Sequence, residues 1–132
     1  MGSSVADGRG GEKRGERIAQ TAARHGVTVA TLRLYEQQGI LPPASRTDGG
    51  HRRYSDADLE WIDTVMLLRG TGMPVVQMAR VAELARDGQH DDVQQLIAAH
   101  AQEALQRALE LQRNARALLQ RSASITPLGP VS

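Results

Sequence analysis

At 132 residues the chain has the length of one domain, or of one domain with an extension. Its hydrophobic fraction is 40%, with no Phe, one Trp and two Tyr, so the core must be aliphatic; Ala and Leu dominate, which favours helices over sheet, and the absence of cysteine excludes disulfides, thiolate metal sites and thiol redox chemistry. The net charge of +1 is unevenly placed: residues 13–54 carry eight Lys/Arg against three Asp/Glu, whereas residues 55–121 carry seven against ten, suggesting a front that meets phosphate and a back that does not.

The opening residues, MGSSVADGRGGEKRGER, hold no apolar run, so no signal peptide is expected, and no window has the apolar length of a membrane span. Residues 1–15 have the composition of a disordered arm, and the expectation is a soluble, cytoplasmic protein. RIAQTAARHGVTVATLRLYEQQGILPP predicts two short helices joined by a tight turn. The first spans 18–25 and stops at Gly26, a left-handed cap residue. Thr28 stands at the N-cap of the second, which runs to about Gln38 before Gly39, and the prolines of ILPP cannot continue it. In that second helix Val29 and Leu32 share the inward face, with Tyr35 and Glu36 at its edges. Ala30, Leu34 and Gln37 point outward, flanked by Thr31 and Arg33.

TDGG at 47–50 is a hairpin-turn signal, because glycine reaches positive φ without steric cost, and the short hairpin it implies is a wing. Ser55 with Asp58 approaches a capping box and restarts helix. Leu59, Ile62, Met66 and Arg69 form its stripe, with Val65 and Leu67 widening the apolar face, and Gly70 and Gly72 end it. A further helix has Pro74 near its first position and ends at Gly88. The last begins after Asp91 and Asp92. Along it Ile97, Ala101, Ala104, Ala108, Leu111, Ala115 and Leu118 follow heptad spacing, a seam roughly 35 Å long with too little other chain to cover it. A second copy is the expected cover; a helix packed on its own domain is the alternative. SASITPLGPVS closes the chain as a frayed tail.

No enzymatic constellation competes. His25, His51, His90 and His100 are scattered without metal-ligand spacing, and neither a phosphate-cradling loop nor a nucleophile with a placed base is present. No metal site and no cofactor are expected.

The segment from VTVATLRLYEQQGILPP through RTDGGHRRYSDADLEWI to MARV closely resembles the DNA-binding domain of MerR-family transcriptional regulators, over about residues 17–87. The shared elements, in fixed order, are T-L-R-x-Y-E, the L-P-P exit, the R-T-x-G-G-x-R-R-Y-S wing and D-L-E-x-I. The resemblance implies a mainly α fold: a winged helix-turn-helix DNA-binding domain followed by a long C-terminal dimerisation helix that forms an antiparallel coiled coil. The boundaries expected are 1–15 arm, 16–88 DNA-binding domain, 89–121 dimerisation helix and 122–132 flexible tail.

It further implies a homodimer on a pseudo-palindromic promoter operator. Such a dimer bends and untwists the double-stranded spacer and so reaches RNA polymerase through promoter shape. Arg17, Thr28, Thr31, Arg33 and Tyr35 would contact DNA, with His51, Arg52 and Arg53 of the wing, while Tyr54 would pack the wing against the domain. Leu34 and His51 stand where the family often has aromatics. Without cysteine, any sensing falls to an unidentified small molecule at the dimer interface or to a partner protein. A coiled-coil adaptor and an architectural DNA binder are the alternative functions.

Overall fold

Short-range stop and start signals shape the first half of the chain. A computed structural model describes residues 16–46 and 52–130, with the backbone alone at positions 45, 46 and 52. The expected arm at 1–15, the hairpin turn at 47–50, His51 and the last two tail residues lie outside the described residues. Helix α1 spans Ile18–His25, and Gly26 closes it at φ 69°. Helix α2 spans Val29–Gln37; the Thr28 hydroxyl accepts the Thr31 amide at 3.1 Å, which satisfies one of the N–H groups that a helix start leaves unpaired. Gly39, at φ 76°, then reverses the chain.

The wing base is a two-strand ladder: β1 Ser45–Arg46 pairs antiparallel with β2 Arg52–Arg53, Ser45 opposite Arg53 and Arg46 opposite Arg52. A third stretch of chain joins it, since Arg17 bridges Arg53 and the Tyr54 amide donates to the Glu16 carbonyl at 2.9 Å. Helix α3, Asp56–Gly70, opens with the full capping box: Asp58 N–H to Ser55 Oγ at 3.1 Å and Ser55 N–H to Asp58 Oδ2 at 3.0 Å. Helix α4 spans Val75–Arg86 with Pro74 at the N-cap, one place earlier than expected.

Helix α5 spans His90–Ser122, 33 residues and about 49 Å. It starts before Asp91 and Asp92 rather than after them, so both acids sit in the first turn, at the positive end of the helix dipole. From Ala123 the chain leaves the helix, and residues 125–130 have no regular structure.

One aliphatic core joins α1 to α4. Leu32, Tyr54, Ile62 and Val81 are fully buried in it, and Val93, Leu96 and Ile97 bring the first turns of α5 onto it. Leu67, expected to widen the buried face of α3, is 71% exposed; its neighbour Leu68 is buried instead. Beyond that root the large apolar side chains of α5 are uncovered, and Leu105, Leu109, Leu111, Leu118 and Leu119 all stand in solvent. Among the described residues no helix is long and apolar enough to cross a membrane, and no three His, Asp or Glu side chains could gather on a metal ion.

Candidate nucleic-acid interface

Helix α2 turns Leu32 into the core and leaves Arg33 exposed, with Ala30, Leu34 and Gln37 outward beside it. This outward face carries a guanidinium and an amide on a nine-residue helix, groups that pair with base edges or phosphates in a major groove. At its start Thr28 is exposed, and its hydroxyl lies 3.0 Å from that of the half-buried Thr31. The two hydroxyls therefore hold each other and the first turn in place.

The wing is fixed to that helix from inside. Tyr54, fully buried, donates its hydroxyl to Glu36 Oε2 at 2.8 Å, so the residue that follows β2 is tied to the inner edge of α2. A donor–carboxylate bond of this length belongs to the stronger class. On the other side Arg17 pairs with Arg53. The exposed Arg17 and half-buried Arg53 thus stand at one end of the domain, next to the ladder position that pairs Arg46 with Arg52.

Glu16 organises the back of this patch. Its Oε1 accepts the hydroxyl of the fully buried Thr21 at 2.9 Å, and its Oε2 accepts Arg24 Nε at 2.8 Å. Arg24 Nη1 continues to Asp63 on α3 at 3.2 Å, and His25 Nε2 reaches the same Asp63 oxygen at 3.0 Å. The hydrogen bond that Arg24 donates to Glu16 is the main cause that raises its guanidinium above the ordinary range, with Asp63 adding to it. Arg24 is consequently committed to this network, while Arg33 carries its charge on the exposed face.

Comparison with known proteins decides the family. The family model described as the MerR HTH family regulatory protein matches residues 17–85, more than half of the chain. The chain belongs to the MerR family. Among MerR relatives, a regulator from Haemophilus influenzae named as a ZntR homolog is 30% identical over 97 residues, 72% of each chain. The regulator AdhR of Bacillus subtilis is 38% identical over 71 residues, 54% of this chain and 51% of its own. The chain spans about half the length, or less, of the curated relatives it matches first. Among solved structures HiNmlR, a MerR family regulator lacking the sensor domain and bound to promoter DNA, superposes with TM-score 0.71 at 29% identity, covering 82% of this chain and 83% of that one. The relatives are transcriptional regulators, not enzymes.

Within this MerR domain Tyr35 stands apart from the other expected contacts. Tyr35 is only 5% exposed and belongs to the core, because the amides of Ile40 and Leu41 both bond back to its carbonyl and fold the α2 exit over it. Arg17, Thr28, Thr31, Arg33 and Arg53 all keep some solvent access, and the side chains of His51 and Arg52 lie outside the described residues. Sequence reasoning missed Glu16, whose partners lie 5, 8 and 38 positions away and leave no local spacing to detect. It also missed Trp61 and Arg86, which bind the α2 exit at the carbonyls of Ile40 and Gly39.

In the expected dimer seam, Ile97 is half-buried against the domain's own core and Ala104 is half-buried too. Ala101, Ala108 and Ala115 are exposed, with Leu111 at 70% and Leu118 at 66%. The alternative of self-packing therefore describes the root of α5, and an uncovered apolar face describes the remainder.

Proposed function

We propose that this protein is a homodimeric, sequence-specific DNA-binding transcriptional regulator that binds a pseudo-palindromic promoter operator. The observation that carries the reading is the fixed union of α2 and wing: Tyr54 joined to Glu36 at 2.8 Å beneath an exposed Arg33, beside the Arg17–Arg53 pairing. Arg33, Thr28 and Thr31 enter the major groove, while Arg17, Arg52, Arg53 and His51 meet the backbone on either side. HiNmlR bound to promoter DNA supports this placement by its similar fold.

The leucines left exposed on α5, Leu111 and Leu118 on the seam with Leu105, Leu109 and Leu119 beside it, support pairing with a second copy through an antiparallel coiled coil over residues 89–121, since a monomer seldom leaves so much apolar surface in water. Two DNA-binding domains, residues 16–88, are then held at a fixed separation, and the dimer acts by bending and untwisting the promoter spacer, which RNA polymerase senses through promoter shape.

A gel shift on the upstream region of its own gene tests the assignment. Arg33→Ala and Arg52→Ala should each weaken binding by about 1–3 kcal/mol, and affinity should fall steeply with salt as counterions are released. Unchanged affinity in both variants refutes the residue assignment, and salt-independent binding refutes the DNA reading. In vitro transcription separates a regulator from an architectural protein, which would bend the same DNA without changing transcript levels.

A further inference from the structure

Between the exit of α2, α3 and α4 lies a cleft of about 300 Å³ lined by Ile40, Pro42, Trp61, Ala82, Ala85 and Arg86. Its polar groups are already engaged: Trp61 Nε1 donates to the Ile40 carbonyl at 2.8 Å, and Arg86 Nη1 donates to the Gly39 carbonyl at 2.6 Å. An occupant is therefore asked for apolar surface and little else. At the far end of α5 the chain exposes such surface. Ile125 is 69% and Leu128 98% exposed, in a stretch without regular structure that includes Pro127. In the extended helix that proline favours, with three residues per turn, positions 125 and 128 fall on one edge about 9 Å apart.

We propose that the cleft receives residues 125–128 of a second copy of the chain, an inference that rests on the dimer reading above. The chain's own tail cannot fill it. Arg86 lies four residues before the start of α5, whereas the tail leaves the other end of that helix, about 49 Å away. Residues 123–130, fully extended, span at most about 28 Å. Antiparallel pairing reverses the relation. A seam running from Ile97 to Leu118 sets 97 opposite 118 and Ser122, the last helical residue, opposite Val93; residues 123–128, extended at about 3.1 Å each, then reach about 19 Å from there towards Arg86. The partner's tail thus arrives where its own could not, and its prolines reduce the freedom lost on docking. Each tail would then brace the exit of the partner's α2, the segment leading into the wing.

Trp61 is the chain's only tryptophan and lines the cleft, so its quenching by acrylamide reports occupancy directly. The full chain and the double variant Ile125→Asp, Leu128→Asp are compared, with sedimentation velocity run on both. Two dimers are expected, with quenching severalfold greater in the variant. A mixed dimer then fixes the direction. One protomer carries Trp61→Phe and an intact tail, and the other keeps Trp61 with the double substitution. Trp61 should be protected there as in the unaltered dimer, and full quenching in the mixed dimer overturns docking in trans. Equal quenching in the two homodimers overturns the proposal alone, and added binding of an apolar dye to both would assign the cleft to a small apolar ligand instead. A monomeric unaltered chain overturns the dimer reading and the proposal with it.

Discussion

The hydrogen bond from Tyr54 to Glu36 should be measurable as both stability and function, and Tyr54→Phe isolates it. The ring remains, so the fully buried site keeps its packing and no cavity opens. Lost is one donor to a carboxylate at 2.8 Å. Bonds to charged groups contribute about 1.5–3 kcal/mol; Glu36 is half-buried and water can take part of the vacated place, so the lower end, about 1.5 kcal/mol, is expected. For a domain of this size that corresponds to a fall in Tm of roughly 6–12 °C. Thermal and urea unfolding monitored by circular dichroism supply the first readout, and operator affinity the second. Affinity should fall as well, though less than in Arg33→Ala, because the wing keeps its ladder and loses only its tie to α2. A variant with unaltered Tm and unaltered affinity would show that this bond does not set the relation between wing and helix.

Gly26→Ala places a β-carbon at φ 69° where nothing lies within 4 Å, so the penalty is backbone strain alone, about 1–2 kcal/mol, and urea unfolding should show it without a change in operator specificity. Leu111→Asp puts a charge on the exposed seam of α5 while leaving the core untouched, so light scattering should find a monomer whose thermal unfolding no longer depends on concentration; a persisting dimer would place the interface elsewhere.

Elements governed by neighbours in sequence were legible. Gly26, Thr28 and the Ser55–Asp58 box act within three or four residues, and the chain folds there as its local chemistry directs. Choices between adjacent residues were not. Periodicity alone could not tell Leu67 from Leu68 on α3, because neighbouring helix positions differ by about 100° and the shared core, which takes in Leu68, decides which one is covered. Tyr35 stood at an edge of the inward face, and only the return of Ile40 and Leu41 to its carbonyl turned it into core. Glu16 was invisible because its role is assembled from Thr21, Arg24 and the amide of Tyr54. The site was therefore readable in residue type and order, while the clamp behind it existed only in three dimensions.

That clamp bears on how such a protein could deform DNA. A regulator that bends a duplex must be stiffer than the duplex at the points of contact, otherwise the strain relaxes into the protein. Exposed ion pairs such as Arg24–Asp63 contribute little to stiffness, since solvent screens them. The half-buried bonds contribute more: Thr21 to Glu16, Tyr54 to Glu36, and the ladder of β1, β2 and the Glu16–Arg17 stretch unite wing, α1 and α2. The attachment to α5 combines exposed bonds with its apolar root. Thr71, at the end of α3, shares a hydrogen bond of 2.8 Å with His100, and its carbonyl accepts Arg107 Nη2 at 3.0 Å, so α5 is held at two residues two helical turns apart as well as at its apolar root. A lever fixed at two points transmits rotation as well as translation. Any torque on α5 from a second copy therefore passes into α3 and from there, through the shared core, to the face that carries Arg33.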